Sequence, residues 1–400
     1  MITLEDLTTA YLKARVNKRR SRDSVRFEVD YESNLCKLLD EINNRTFKAD
    51  SNYAFVVTYP KPREIFATQM ATRVIHHYLD WRLRPIYEKV LSERSFNNRK
   101  GLGLHKAIDV FRQDVAELTK DYTKDAWIVH LDLKGFFPNA NVEIALGQQL
   151  KLIEKYYEGE DKDDLKYMMT TCMRADPARH CDIFVPKENW DIIPPEKSLF
   201  KKPVGIGGAI GFLCWQNAMG MYINDVTKWL QSFDFMRIVV FVDDIYVVTR
   251  DKARFLSMMP ELRCRLSELG VKLNEKKFYC QHYSKGVMIL GTMMKFGRLY
   301  CNNRTYSRCL ETVNKMASWR KRCISPQNVL CSLNSYVGSI KNRNQNKRLE
   351  KFVSVAKKRI GNLVEWNPKK RCFALLEKFK FANSLTKFYT NNQRRARCLN

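Results

Sequence analysis

The stretch FMRIVVFVDDIYVVT, Phe235 to Thr249, constrains this chain more than any other. Two runs of β-branched and aromatic residues, each of strand length, flank two adjacent acids, Asp243 and Asp244, placed where a hairpin would turn. Neighbouring carboxylates repel and lose hydration when an apolar hairpin carries them, and a cation between them removes that cost. Two readings stand: a solvated Asp-Asp turn between core strands, or a pair of Mg²⁺ ligands. The second needs a third carboxylate from elsewhere. The stretch AWIVHLDLKGFF, residues 126–137, supplies one, because a strand from Trp127 to Leu131 delivers Asp132 at its end. Phe137 follows five residues on. Its ring is either core packing or a gate that excludes a 2′-hydroxyl and so selects deoxynucleotides.

Composition narrows the partners. The chain has 400 residues, enough for two or three lobes with real cores, and 45% of them are hydrophobic. Its formal net charge is +27 and its sequence pI about 9.6. A balance that basic points to a polyanion, with nucleic acid first. The cations recur along the whole length, as suits a lined channel better than a flexible arm. The 12 cysteines show no CxxC or HxxxH spacing, so neither a zinc site nor a disulfide framework is indicated. Cysteines in apolar runs, such as Cys214 and Cys331, read as buried free thiols in a reducing cytoplasm. The N-terminal MITLEDLTTAYLKAR has early acids and no apolar core run, unlike a signal peptide, and no apolar run reaches membrane-spanning length.

In chain order, residues 3–47 read as helical, with Leu4, Leu7, Tyr11 and Leu12 on one face and Leu35, Leu38, Leu39 and Ile42 on another. Between them Lys13, Arg15, Lys18, Arg19, Arg20 and Arg22 form either a solvated loop or a contact to template phosphates. Residues 53–68 read as a hairpin joined at Pro60 and Pro62, with Lys61 and Arg63 at its tip, able to close on a triphosphate or simply solvated. A helix over 69–91 buries Val74, Ile75, Tyr78, Leu79, Leu83 and Ile86, with His76 and His77 packing or capping. In SFNNRKGLGLHKAIDVF, Gly101 and Gly103 sit among Arg99, Lys100 and His105 before a helix, which resembles a phosphate cradle without the GK[ST] ending. Residues 142–174 are helical with a solvated break at EGEDKDD, and 175–202 form an irregular insertion. PVGIGGAIG leads into a helix carrying Gln216, whose amide wants a partner. One amphipathic helix is expected over 252–269, then Lys277 after a strand, then a hairpin in GVMILGTMMKFGRLYCN. Residues 305–400 read as basic helices with interleaved aromatics, Tyr336, Trp366 and Phe379, suited to gripping a duplex, before a frayed tail. The cations of that lobe include Arg320, Lys321, Arg322, Lys341, Arg343, Lys347, Arg348, Lys357, Lys358 and Arg359.

The order of these blocks (a strand ending in Asp132 with Phe137, a glycine-rich turn into a helix, FVDD, LNEKK, ILG) resembles the palm of a reverse transcriptase from about Ala10 to about Lys347. PKPREI, VIHHYL, RKGLGLHKA, DPARHC, PPEKSLF and KGVMILGTMMKFGRLY are similar to the reverse transcriptases of diversity-generating retroelements of the Bacteroides type. In that group's [ILV]GxxxSQ block this chain has Ile210, Gly211 and Gln216, with Tyr222 and Asn224 downstream; Trp215 stands where the serine would be, a large side chain in a segment expected near template and nucleotide.

The resemblance implies an α+β right-hand polymerase with fingers, an antiparallel palm sheet and a helical thumb. The expected divisions are 1–120 for N-terminal helices and fingers, 121–150 for the first part of the palm and 151–202 for an insertion. The second part of the palm follows at 203–300, and a basic thumb and tail at 301–400. It implies that Asp132, Asp243 and Asp244 hold two Mg²⁺ ions, or Mn²⁺ in their place, for in-line phosphoryl transfer. Lys277 is then the palm lysine that protonates leaving pyrophosphate. Lys61 and Arg63 bind the triphosphate, Phe137 is the steric gate, and Gln216 lies beside the nucleotide. Arg99, Lys100, His105 and Gly211 contact nucleic acid, and Leu290-Gly291 grips the primer. The partners implied are an RNA template or non-coding RNA, a DNA primer or product, dNTPs, and a small basic accessory protein or a second reverse transcriptase. Two settings follow: mutagenic retrohoming in a prokaryotic retroelement, or antiviral defence by a DNA product made from a non-coding RNA or without a template. A non-catalytic nucleic-acid scaffold is the reading from another class, and Phe137 disfavours an RNA polymerase.

Overall fold

Two compact units divide the chain, Met1–Gln281 and His282–Asn400. The structure is a computed structural model that describes residues 1–18, 21–49, 52–58, 61–183 and 190–380. The expectations placed on Arg19, Arg20, Pro60, the middle of the 175–202 insertion and the C-terminal tail lie outside the described residues.

The first unit opens with α1 (Leu4–Ala14), α2 (Arg22–Val29) and α3 (Tyr31–Asn43). A capping box starts α1: the Thr3 hydroxyl accepts the Asp6 N–H while the Asp6 carboxylate accepts the Thr3 N–H. Its inward face is Leu7, Ala10, Tyr11 and Ala14; Leu4 and Leu12, expected inside, are 40% and 50% exposed. The helix is turned by Tyr11, whose ring stacks on Tyr31 at 5.3 Å. Lys13 lies over the Trp81 ring at 3.7 Å and Arg15 pairs with Glu28, so these two cations of the basic cluster have partners within the fold.

Next, β1 (Asn52–Val57) and β2 (Arg63–Thr68) pair antiparallel from Asn52↔Thr68 to Val57↔Arg63. Helix α4 (Met70–Val90) buries the six residues its periodicity marked. His76 is buried with them, against the Phe212 ring at 5.1 Å, and burial pulls its pKa down to about 3, so it is a neutral core residue. Helix α5 (Leu104–Leu118) and strand β3 (Trp127–Asp132) follow, then α6 (Val142–Tyr156) and α7 (Lys162–Arg174). The break between α6 and α7 is not a solvated turn. Asp161 and Asp164 are 2% and 7% exposed. Asp161 accepts from Tyr78 Oη at 2.5 Å, Tyr157 Oη at 2.7 Å and Arg82 Nε at 3.2 Å, because phenols carried into a core need acceptors there.

Strand β4 (Cys181–Ile183) joins β1 in parallel. After α8 (Leu213–Tyr222) and α9 (Asn224–Gln231) come β5 (Met236–Phe241) and β6 (Asp244–Thr249). The expected single helix over 252–269 is two, α10 (Lys252–Ser257) and α11 (Met259–Glu268). Pro260 sits in the first turn of α11, where its missing N–H is tolerated and where a continuous helix could not pass. Strand β7 (Tyr279–His282) completes a four-stranded sheet in the order β5-β6-β3-β7.

In the second unit, β8 (Val287–Ile289), β9 (Thr292–Lys295) and β10 (Arg298–Cys301) make three antiparallel strands where one hairpin was expected. Both connections, Leu290-Gly291 and Phe296-Gly297, are two-residue turns with positive φ throughout, the type that matches strand twist. Helices α12 (Asn303–Met316), α13 (Pro326–Lys341) and α14 (Asn346–Ile360) pack around Val313, Val329, Leu333 and Phe352. A hairpin of β11 (Val364–Asn367) and β12 (Cys372–Leu375) then interrupts the expected run of helices. The interleaved aromatics pack, partly buried, against this core: Tyr336 meets Phe352, Trp366 meets Phe373 and Phe379 meets Trp319. Arg343 donates to Thr292 Oγ1 and Arg348 to the Cys301 carbonyl, while Arg320, Lys321, Arg322, Lys347, Lys357, Lys358 and Arg359 are exposed. Every described cysteine is a free thiol, and Cys331 is exposed rather than buried. Among the described residues no helix is long and apolar enough to cross a membrane.

Candidate active site on the central sheet

The β5–β6 hairpin turns through two residues, Val242 and Asp243, since Phe241 and Asp244 face each other as the last pair. Val242 has φ 59°, a left-handed conformation that costs a β-branched residue about 1–2 kcal/mol. Neighbouring structure holds it there. The Val242 N–H donates to Asn97 Oδ1 at 3.3 Å. Ser95 bridges Val240 in parallel, the Phe96 N–H donates to the Val240 carbonyl at 3.0 Å, and the Val240 N–H to the Arg94 carbonyl at 2.9 Å. Arg94 is itself fixed by a two-pronged pair with Asp114 on α5 at 2.9–3.0 Å.

Register brings the acids together. Asp132 is the cross-strand partner of Asp244, and the Leu133 N–H donates to the Asp243 carbonyl at 2.9 Å. The carboxyl of Asp243 is raised above the ordinary carboxylate range by burial first, then by the negative charge of Asp244 and, less, of Asp132; Lys277 opposes this. Asp132 is 5% exposed at its side chain; its Oδ1 pairs with the Lys277 ammonium and its Oδ2 accepts from Asn274 Nδ2 at 2.8 Å. Asp244 Oδ1 lies 2.8 Å from His130 Nε2. With their oxygens turned to these partners, no group of three or more acidic, histidine or cysteine side chains among the described residues forms a ready cation cage. The donor set nevertheless suits a divalent cation, because three carboxylates crowd one end of the sheet and raise the proton affinity of Asp243.

Of the other residues singled out in the sequence, some join this site through the backbone. The glycine-rich segment zips onto the loop after β3: the Gly208 N–H donates to the Phe137 carbonyl at 2.8 Å and the Gly207 N–H to the Ala140 carbonyl at 2.7 Å. Phe137 is half-buried, edge-on to Phe136. Gly211, at φ 123°, lets the chain pass the Phe66 carbonyl, where a Cβ would stand at 2.1 Å; the Phe66 N–H donates to the Ile210 carbonyl at 2.9 Å. The hairpin bearing Lys61 and Arg63 is thus tied to the glycine-rich segment, with both cations exposed. Trp215 is 1% exposed, its ring under Gly208, so the large side chain lies in the core. Gln216 is half-buried, and its carbonyl accepts from Asn98 Nδ2 at 3.0 Å. Tyr222 and Asn224 are internal pins, on the Asn141 N–H and on the Ser92 N–H and Val90 carbonyl.

Others stay apart. The Arg99 guanidinium is spent on Glu88 and on the carbonyls of Glu88, Ser92 and Ser95. Lys100 and His105 are exposed around the start of α5. Leu290 and Gly291 belong to the second unit. Lys277 lies in a turn ahead of β7, beyond a single bridge of Leu273 to Leu133, rather than after a strand. Reading the sequence missed Asn97, His130 and Asn274. The signal for His130 was its parity with Asp132 in an alternating strand, which puts both on one face; Asn97 and Asn274 carried none beyond lying in SFNN and LNEKK.

Residues 58–294 match the family model described as reverse transcriptase (RNA-dependent DNA polymerase). The chain belongs to this reverse transcriptase family, and its α+β fold is the family's. Similar solved structures include apo telomerase from Candida tropicalis truncated from its C-terminal domain, at 12% identity and TM-score 0.45 over 64% of this chain and 55% of that one. Another is apo telomerase from Candida tropicalis, at 11% and 0.47 over 78% and 60%. A third is telomerase from Candida albicans in complex with a TWJ fragment of telomeric RNA, at 12% and 0.43 over 84% and 60%. The chain therefore spans 55–60% of the length of those telomerases. No curated protein matches it.

Proposed function

We propose that this chain is an RNA-directed DNA polymerase whose reaction centre is the end of the central sheet. The observation that carries the reading is the meeting of Asp132 and Asp244 on adjacent strands with Asp243 in the turn beside them, and Lys277 against Asp132. Asp132 and Asp243, with Asp244 beside them, would hold divalent cations, Mg²⁺ or Mn²⁺, which when bound supply a charged clamp for triphosphate oxygens and lower the pKa of a primer 3′-hydroxyl. The chain's own residues do the positioning. Asn274 and the β3–β6 ladder orient Asp132. Lys277 holds a proton at Nζ within reach of Asp132 and is placed to give it to leaving pyrophosphate. Lys61 and Arg63, exposed on their hairpin, neutralise the incoming triphosphate. Phe137, with its backbone fixed by Gly208, closes the space a 2′-hydroxyl would need, and Gln216 borders it.

Lys100 and His105 take the backbone of the nucleic acid, and the Leu290-Gly291 turn contacts the primer. Arg99 is too fully paired to join them. The template is RNA and the setting a prokaryotic retroelement; Trp215, being a core residue, gives no reason to depart from templated synthesis. Primer extension on an RNA template with Mg²⁺ tests the reading. Wild type should extend with dNTPs and scarcely with rNTPs, and Asp243→Asn should lose at least ~10³-fold in rate while still binding the primer–template. Extension by Asp243→Asn at the wild-type rate would remove the assignment. Sequencing the DNA made in cells identifies the template.

A further inference from the structure

The strand that delivers Asp132 also carries a polar residue that the reaction scheme above leaves without a task. His130 is two residues before Asp132, on the same face of β3, and is the cross-strand partner of Tyr246. Its side chain is 12% exposed. The ring stacks on Tyr246 with centroids 4.7 Å apart and meets Tyr279 on β7 at 5.4 Å. Its Nε2 is 2.8 Å from Asp244 Oδ1. Since that oxygen is a carboxylate's, Nε2 carries the proton and donates. The ring is thus clamped between aromatic neighbours on two adjacent strands, with one nitrogen aimed at one acid. The Tyr279 hydroxyl, buried and without a hydrogen-bond partner among the described residues, lies in the field of the same acid.

We propose that His130 is a positioning residue of the acid site. It fixes Asp244 against the β3–β6 ladder, so that Asp132 and Asp243 form the pair that meets the cation and Asp244 acts through His130 and the hairpin. This rests on the polymerase reading and refines it. Asp244 is the first residue of β6 and Asp243 the last of the turn, so a clamp on Asp244 fixes the strained Val242-Asp243 tip from below, as Asn97 does from above. Outer contacts of this kind usually change activity or metal affinity by about 10–100-fold when removed.

The test is a cycle of four proteins, His130→Phe, His130→Gln, Asp244→Asn and the double variant His130→Phe/Asp244→Asn. Each is read in two ways: steady-state dNTP incorporation, and the shift of thermal midpoint on titration with Mg²⁺ alone. Phe keeps the ring stack and removes the donor; Gln restores a donor at the place of Nε2. The expectation is that His130→Phe lowers kcat about tenfold or more with KM for dNTP little changed, and that His130→Gln returns to within about threefold of wild type. The double variant should be no worse than His130→Phe. Asp244→Asn, whose amide oxygen still accepts from His130, should keep its Mg²⁺-induced shift. Wild-type kcat in His130→Phe, or loss of the Mg²⁺ shift in Asp244→Asn, would overturn the proposal. Should His130→Phe fail to fold, Asp244→Ala removes the acceptor without disturbing the ring, and wild-type kcat in that variant would overturn the proposal equally. Asp132→Asn and Asp243→Asn serve as the separate control on the parent reading: if they too keep extension and the Mg²⁺ shift, the acid site itself is misassigned.

Discussion

Val242 is a β-branched residue held at φ 59° between two strands that are otherwise regular. Strain of this kind persists only where surrounding contacts over-determine it, here the bond to Asn97 and the segment of residues 94–97 bonded to β5. Replacing Val242 by Gly relieves the left-handed cost while loosening the unfolded chain, so the variant should lie within about 1 kcal/mol of wild-type stability. Cutting Val247, fully buried in β6, to Ala should cost about 2–3 kcal/mol; denaturant titration of both compares them. Asp243 makes a prediction of opposite sign to an ordinary ion pair. Its raised pKa means that folding favours the protonated form, so its cost is absent below the ordinary carboxylate range and develops as pH rises through the raised value. In metal-free buffer Asp243→Asn should match wild type in thermal midpoint below the ordinary carboxylate range and exceed it at neutral pH. Added Mg²⁺ should raise the wild-type midpoint and leave the variant's unchanged.

At the scale of elements, the glycine-rich segment ties two others together, the strand that follows Lys61 and Arg63 and the loop that carries Phe137. Gly211→Ala would put a Cβ 2.1 Å from the Phe66 carbonyl at a φ that L residues avoid. It should cost at least about 2 kcal/mol, and it should raise KM for dNTP more than it changes template binding, as steady-state kinetics can show. The strands were legible because alternation and β-branching mark them, and the acids because carboxylates at the end of an apolar run are conspicuous. What misled were residues whose character says polar and whose partners lie far along the chain. Asp161 looks solvated until Tyr78, from 83 residues earlier, needs an acceptor. Arg99 looks like a phosphate ligand until Glu88 and three carbonyls surround it. Trp215 reads as a large side chain near template and nucleotide because its face on α8 cannot be told from the block alone. The β11–β12 hairpin went unseen because basic residues around it continued the pattern of the helices before it.

For the molecule as a whole, a net charge of +27 makes binding to a polyanion strongly dependent on salt. With Arg99, Arg343 and Arg348 bound internally, the exposed lysines and arginines remain to release counterions. Affinity for a primer–template duplex should fall at least about 100-fold between 50 and 200 mM salt, measured by fluorescence anisotropy, and a shallow slope would point to an interface that is not phosphate-led. The order β5-β6-β3-β7 carries a last consequence, for the birth of the protein on the ribosome. Both neighbours of β3 are made after it, and 114 residues separate His130 from Asp244. An apolar strand ending in a buried acid must therefore wait unpaired while the intervening helices emerge, which makes assembly slow and exposes a sticky edge. Nascent chains stalled before residue 244 should be sensitive to protease at β3, and those released past β7 resistant.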